Sequence, residues 1–243
     1  MSLKRLLIIY ILGLLVYGLP AQVTDANNEK ILSLEDAVAN SNHDTAKVKS
    51  MCLLGWEYRT TNSQKAIKIA KEAIELGTRS KYDRGVAGAY YILGGIYYVL
   101  GDFKQSIQNY LLALRIYETK GMIEGAGRTY NSLGLIYGMQ MNFEKAIINY
   151  EKALQLKQKL NNKRDIASTL NNLGVIYFKT KDLVKAREMF NASLKLEIEI
   201  GNALGIAQSY QSIAGVIGHE KNHTMAIKYY QRALVLFDSI GDM

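Results

Sequence analysis

The sequence predicts an all-α protein built as a solenoid of about five helix-turn-helix units, and three observations carry that prediction. The chain repeats itself at an offset of forty residues, which brings Leu93-Gly94-Gly95-Ile96-Tyr97 over Leu133-Gly134-Leu135-Ile136-Tyr137 and Leu173-Gly174-Val175-Ile176-Tyr177, with a degenerate Ile213-Ala214-Gly215-Val216-Ile217 in register. Apolar residues inside each unit recur at three- and four-residue spacing rather than alternating, the pattern of amphipathic helices. Pro20 is the only proline among 243 residues, so nothing beyond it interrupts a helix. Fixed-period self-similarity of this kind marks an array whose units bury their apolar faces on one another. With 49% hydrophobic and 21% charged residues the chain has enough apolar surface for a core, which excludes disorder as its main state.

Residues 1–21 read as a secretory signal peptide. Lys4 and Arg5 precede an apolar stretch from Leu6 to Leu19, closed by Pro20-Ala21, the basic, apolar, small-residue layout of an export segment. The stretch is shorter than the roughly 20 residues a spanning helix needs, which favours cleavage; Leu19, three places before the expected cut, leaves an uncleaved membrane tether as the alternative. The expected location is therefore periplasmic, or tethered to the inner membrane. Residues 22–43 follow as a lead-in helix, and the array occupies 44–243, with units at about 44–80, 84–121, 124–161, 164–201 and 204–241.

The punctuation supports each unit. Asp102, Asn142, Asp182 and Asn222 stand forty apart between the two helices of a unit; their side-chain oxygens suit N-caps. Gly121, Asn161, Gly201 and Gly241 stand forty apart after the second helix, and these residue types most readily take the left-handed conformation that ends a helix. Small residues lie where helices cross: Gly94, Gly134 and Gly174 on first helices, and Ser106, Ala146, Ala186 and Ala226 with Ala113, Ala153, Ser193 and Ala233 on second ones. Tyr110, Tyr150, Phe190 and Tyr230 are expected to fill the space between. An earlier unit shows in Leu54-Gly55-Trp56-Glu57-Tyr58 with Ala66, Ala70 and Ala73, its central turn one residue shorter.

These residues resemble the tetratricopeptide repeat signature, W-x2-L-G-x2-Y followed by A-x3-F and a further Ala. It appears as Tyr90-x2-Leu93-Gly94-x2-Tyr97 with Ser106, Tyr110 and Ala113, and again as Tyr130-x2-Leu133-Gly134-x2-Tyr137 with Ala146, Tyr150 and Ala153. The closing proline is absent and the period is forty instead of thirty-four, as in kinesin light chain and related arrays. The resemblance implies a right-handed superhelix whose inner surface, lined by first helices, binds a protein or peptide without catalysis. By the family's pattern the groove-facing residues are Tyr91, Tyr98, Arg128, Asn131, Ser168, Asn171, Phe178, Gln208 and Gln211. The Lys and Asn pattern that clamps a C-terminal carboxylate in some members is not reproduced. A narrower resemblance, carried by Asp44-Thr45-Ala46-Lys47-Val48, Leu54-Gly55-Trp56-Glu57-Tyr58-Arg59 and Lys65-Ala66-Ile67 after a signal segment, is to the exported input region of sensor histidine kinases and cyclases of Bacteroidetes-type bacteria. It implies, as a rival reading, a sensory region of a longer membrane-bound enzyme.

No catalytic constellation is expected. His219-Glu220-Lys221-Asn222-His223 spells the zinc-hydrolase H-E-x-x-H, but the repeat register puts a helix end and an N-cap inside it, so the two imidazoles do not share one helical face. No metal or cofactor is expected. Cys52, the single cysteine, excludes an intramolecular disulfide and reads as a packing residue. Residues 151–187 hold nine basic and three acidic groups, and Lys157, Lys159, Lys163 and Arg164 form the candidate basic patch, either a solvated face or a surface steering an acidic partner. Nucleic acid is not an expected partner of an exported chain, and a membrane is one only through an uncleaved signal segment. At the far end Ile227, Tyr230, Leu234, Phe237 and Ile240 leave apolar surface uncovered, which predicts self-association or a further domain there.

Overall fold

The protein, seen in a computed structural model, is described over residues 21–241; the predicted signal segment apart from Ala21 lies outside the described residues. Among the described residues there are eleven helices and no strand. Helix α1 (Ala21–Ala39) leads into five pairs: α2 (Asp44–Thr61) with α3 (Ser63–Arg79), α4 (Asp83–Val99) with α5 (Phe103–Thr119), α6 (Ile123–Met139) with α7 (Phe143–Lys159), α8 (Lys163–Lys179) with α9 (Leu183–Glu199), and α10 (Ala203–His219) with α11 (His223–Gly241).

From α4 to α10 every helix has 17 residues and every joint has three, so the forty-residue sequence period contains two equal structural steps. Each joint turns through one left-handed residue: Lys81, Gly101, Gly121, Met141, Asn161, Lys181, Gly201 and Lys221 all have φ between 50° and 76°. The backbone bonds repeat with them. At the joint after α5, the Gly121 N–H donates to the Glu118 carbonyl at 3.1 Å and the Met122 N–H to the Tyr117 carbonyl at 2.7 Å, the paired closure that satisfies the last carbonyls of a helix. The expected stops at Gly121, Asn161 and Gly201 take this conformation, whereas Gly241 does not: it ends α11 without a left-handed turn. Lys81, Met141, Lys181 and Lys221 take it although nothing in their residue type announces it. Each carries the steric cost of an L-residue there, about 1–2 kcal/mol, less what glycine loses in the unfolded chain. Replacing all four by Gly should therefore raise stability by about 2 kcal/mol in total, read as a higher urea midpoint at an unchanged slope.

The N-caps form as the sequence predicts. Side-chain oxygens of Asp102, Asn142, Asp182 and Asn222 accept from the backbone N–H three residues on, at 3.0–3.2 Å. In the first unit the joint shrinks to Asn62, which ends α2 and caps α3 by accepting from the Lys65 N–H at 3.0 Å. That is why this unit is one residue short.

Within a pair, an aromatic ring of the second helix lies flat against the glycine of the first. A Cβ on Gly94 would meet the Tyr110 ring at 2.6 Å, and on Gly134 the Tyr150 ring at 2.8 Å. Tyr110, Tyr150 and Phe190 are accordingly buried. Tyr230 is not: it is 46% exposed, a correction to the expected pattern; Ala214 stands where the other units have glycine, and among the described residues no further first helix packs on α11 as one does on α5, α7 and α9. The expected open apolar surface is present at this end, with Ile227, Leu234 and Val235 exposed on α11. Leu133, Ile136, Leu173 and Val216 are fully buried, in successive apolar clusters along the array.

Each pair touches only its neighbours, and the contacts show which way the array curves. Successive first helices (α2 with α4, α4 with α6, α6 with α8, α8 with α10) contact one another, whereas no two successive second helices do. The first helices are therefore crowded along the inside of the curve, and they line the concave face.

Candidate concave binding face

The nine predicted groove residues all lie on first helices: Tyr91 and Tyr98 on α4, Arg128 and Asn131 on α6, Ser168, Asn171 and Phe178 on α8, Gln208 and Gln211 on α10. They divide into three kinds. Four of them reach one unit along the array at a spacing of 41 residues: Tyr91 Oη shares a hydrogen bond with Ser132 Oγ at 3.3 Å, Tyr98 Oη donates to Met139 Sδ at 3.3 Å, Asn171 Oδ1 accepts from Ser212 Oγ at 3.5 Å, and the Phe178 ring meets His219 edge-on at 5.0 Å. These side chains tie adjacent first helices together. Arg128, Ser168, Gln208 and Gln211 are exposed, Arg128 with its guanidinium 5.5 Å over the Tyr91 ring.

Asn131 belongs to a third arrangement that the sequence reading missed. Its Oδ1 accepts from Thr169 Oγ1 at 3.2 Å and from Lys157 Nζ at 3.4 Å; Lys157 also donates to Thr169 Oγ1 at 2.7 Å and to the Asp165 carbonyl at 3.4 Å. Lys157, expected on a basic surface patch, is only 6% exposed. The correction has a physical reason: the repeat puts Tyr117, Lys157 and Glu197 at the same inward position, near the end of a second helix where the next first helix covers it, and all three are buried. Burial holds the Lys157 ammonium below the ordinary lysine pKa, with the Asp165 charge opposing that shift. Of the other patch residues, Lys163 pairs with Glu199 at 3.1 Å, while Lys159 and Arg164 are exposed.

Concavities among the described residues bring several of these side chains together. Toward the C-terminal side, a polar pocket of about 200 Å³ brings Ser168, Asn171 and Gln208 together with Arg164 and the buried Glu197; Glu197 Oε2 accepts from Asn202 Nδ2 at 2.7 Å. Toward the N-terminal side, a larger cavity of about 840 Å³ spans α2, α4 and α6. Of the predicted groove residues it contains Tyr91 and Arg128, and it adds Leu53, Trp56, Tyr82 and Arg84, which sequence reasoning did not select. Their signal was present in Leu54-Gly55-Trp56, whose register puts Trp56 beside the signature glycine on a first helix.

The remaining reactive-looking residues are accounted for by packing. His219 ends α10 and His223 opens α11, so the H-E-x-x-H imidazoles sit on two different helices, and Glu220 pairs with Arg187. Among the described residues no three His, Cys, Asp or Glu side chains cluster as metal ligands would. The Cys52 thiol donates weakly to the Gly85 carbonyl at 3.7 Å, and burial pushes its pKa up to about 12, which keeps it in the unreactive thiol form.

No curated protein matches this sequence. Solved structures do match in fold: BtubC (BKLC) from P. vanneervenii at 22% identity, with 90% of this chain and 93% of that one covered and a TM-score of 0.80; the apo form of RapI at 17%, covering 88% and 60%, TM-score 0.71; and the nearly identical repeats of a P. anserina putative kinesin light chain at 11%, covering 82% and 99%, TM-score 0.67. The tetratricopeptide repeat family matches residues 85–159 and 165–239, more than half of the sequence, in two blocks of two helix pairs each. With helix pairs in series, a glycine seat under an aromatic ring in three of them, and first helices along the inside of the curve, the chain belongs to the tetratricopeptide repeat family.

Proposed function

We propose that this chain is an exported, non-enzymatic scaffold that holds a protein or peptide partner in its concave groove. One observation carries the reading: Ser168 and Asn171 on α8 and Gln208 on α10 line one polar pocket backed by a buried carboxylate, with Gln211 exposed about a turn further along α10. Amide and hydroxyl groups in a row suit the main-chain donors and acceptors of an extended or helical segment. The Lys4-Arg5 start with its apolar run supports export. Lys159 and Arg164 add a cationic margin that favours a partner with acidic residues.

A photo-crosslinking residue placed at Gln208 should capture a partner from the native periplasm, and the same residue at Glu188, exposed on the second helix α9, should not. Replacing Asn171, Gln208 and Gln211 together by Ala should abolish capture at a second groove site, Ser168, with helicity by circular dichroism unchanged. Equal capture from both helices would reject the groove. A sensory input region of a membrane-bound enzyme is a second reading, favoured by the Asp44–Ile67 resemblance; it requires a native reading frame that runs on from Met243 into an apolar segment.

A further inference from the structure

The larger cavity has a chemistry that the amide row does not share. Its wall is apolar and unusually open: Leu53 is 56% exposed, Trp56 36% and Leu160 44%, beyond the scattered apolar residues an ordinary surface leaves. Its floor is made of small groups, Gly85, Gly88 and Cys52, which is why there is room for a ligand. A Cβ at Gly88 would meet only Cys52 Sγ, at an ordinary 3.7 Å. Around this apolar space stand three exposed cations, Lys49, Arg84 and Arg128, against one acid, Glu124. None of the three cations pairs with a carboxylate among the described residues. Two are held in place over rings, Arg128 at 5.5 Å from Tyr91 and Lys49 at 6.0 Å from Tyr82. A low-dielectric wall ringed by one sign of charge concentrates the opposite sign, and the volume falls in the range of small-molecule sites.

We propose that this cavity binds a small apolar ligand with a single anionic head, of the fatty-acyl or arylalkyl carboxylate class, its chain against Trp56, Leu53 and Tyr91 and its carboxylate between Arg84 and Arg128. This goes beyond the peptide groove and does not depend on it, since the groove reading rests on α8 and α10 whereas the cavity is built on α2, α4 and α6.

Trp56 is the only tryptophan in the chain, so its fluorescence reports on this cavity alone. Titration of the full chain with decanoate should change Trp56 emission saturably. Decanol, equally apolar but neutral, should bind about tenfold more weakly, as loss of a charge-assisted contact implies, and decyltrimethylammonium should not saturate. Arg84→Gln with Arg128→Gln should bring decanoate down to the affinity of decanol while leaving decanol unchanged. Gly88→Phe, which fills the space, should remove decanoate binding but not partner capture at Gln208; Gly88→Ala should keep both. The proposal is overturned by an unsaturable response to decanoate, by decanol binding as tightly as decanoate, or by undiminished decanoate binding in a Gly88→Phe chain of native helicity.

Discussion

Tyr150→Ala is expected to destabilise the array by about 3–5 kcal/mol, the range for deleting a buried aromatic ring. The ring is 2% exposed and lies on Gly134, whose missing side chain leaves nothing to relax into the vacated space. In an array stabilised by nearest-neighbour interfaces the loss also loosens the adjoining pairs, so urea unfolding should lose its single transition as well as shift. The partner position makes the assignment specific. Gly134→Ala alone should destabilise by about 1 kcal/mol or more, because a Cβ 2.8 Å from the ring overpacks the seam by more than the helix gains from losing a glycine. In the Tyr150→Ala chain the same substitution should stabilise by up to about 1 kcal/mol. A reversal of sign in this double-mutant cycle is the measurement; additive effects would mean that ring and glycine do not share one seat.

The second large effect is expected from Thr169→Val, a change that keeps shape and removes one hydroxyl. Lys157 Nζ loses its nearest acceptor, at 2.7 Å, and a buried charge left short of a partner costs about 2 kcal/mol or more. Adding Lys157→Met should recover most of that loss, since removing both members of a buried polar pair is close to neutral. The pH dependence has a definite sign. Burial depresses the folded-state pKa of Lys157 below its unfolded value of 10.5, so between those two values the unfolded chain holds a proton that the folded chain has released. Stability rises with pH across that window, and below it the cost of the buried ammonium is present in full. The stability difference between the wild type and Lys157→Met should therefore move in favour of the wild type as pH climbs from neutrality toward about 10.5. A difference that stays flat over that span would place the ammonium in solvent.

The array was legible in the sequence because its determinants are local and repeated. Gly94, Gly134 and Gly174, with rings sixteen residues on, announce a seat, and Asp102 or Asn142 announces a cap, whatever the distant surroundings. The twenty-residue step was hidden by the turns themselves: Lys181 and Met141 adopt a left-handed conformation under the demand of helix-end hydrogen bonds, and side-chain identity carries no trace of that demand. Lys157 was misplaced for a different reason. Lysine in a cation-rich stretch reads as surface, and only the comparison with Tyr117 and Glu197, one unit either side, shows that the position faces inward. Trp56 reads in the sequence only as part of the repeat signature, because a single aromatic on an early helix means nothing until α4 and α6 close a wall opposite it. The groove positions on α8 and α10 are those the family resemblance implies, but whether Asn171 is spoken for by Ser212 depends on interhelical spacing that no local pattern encodes.

Contacts that run only from one helix pair to the next give the molecule the mechanics of a spring. Drawing its two ends apart first widens the curve by small rotations at each joint, with no interface broken outright, and the inner face opens as the arc straightens. Under greater load the pairs let go one after another, each releasing about 140 Å of chain for its forty residues. Tension along the axis thus reshapes the very surface that would hold a partner, so grip and pull are coupled through curvature.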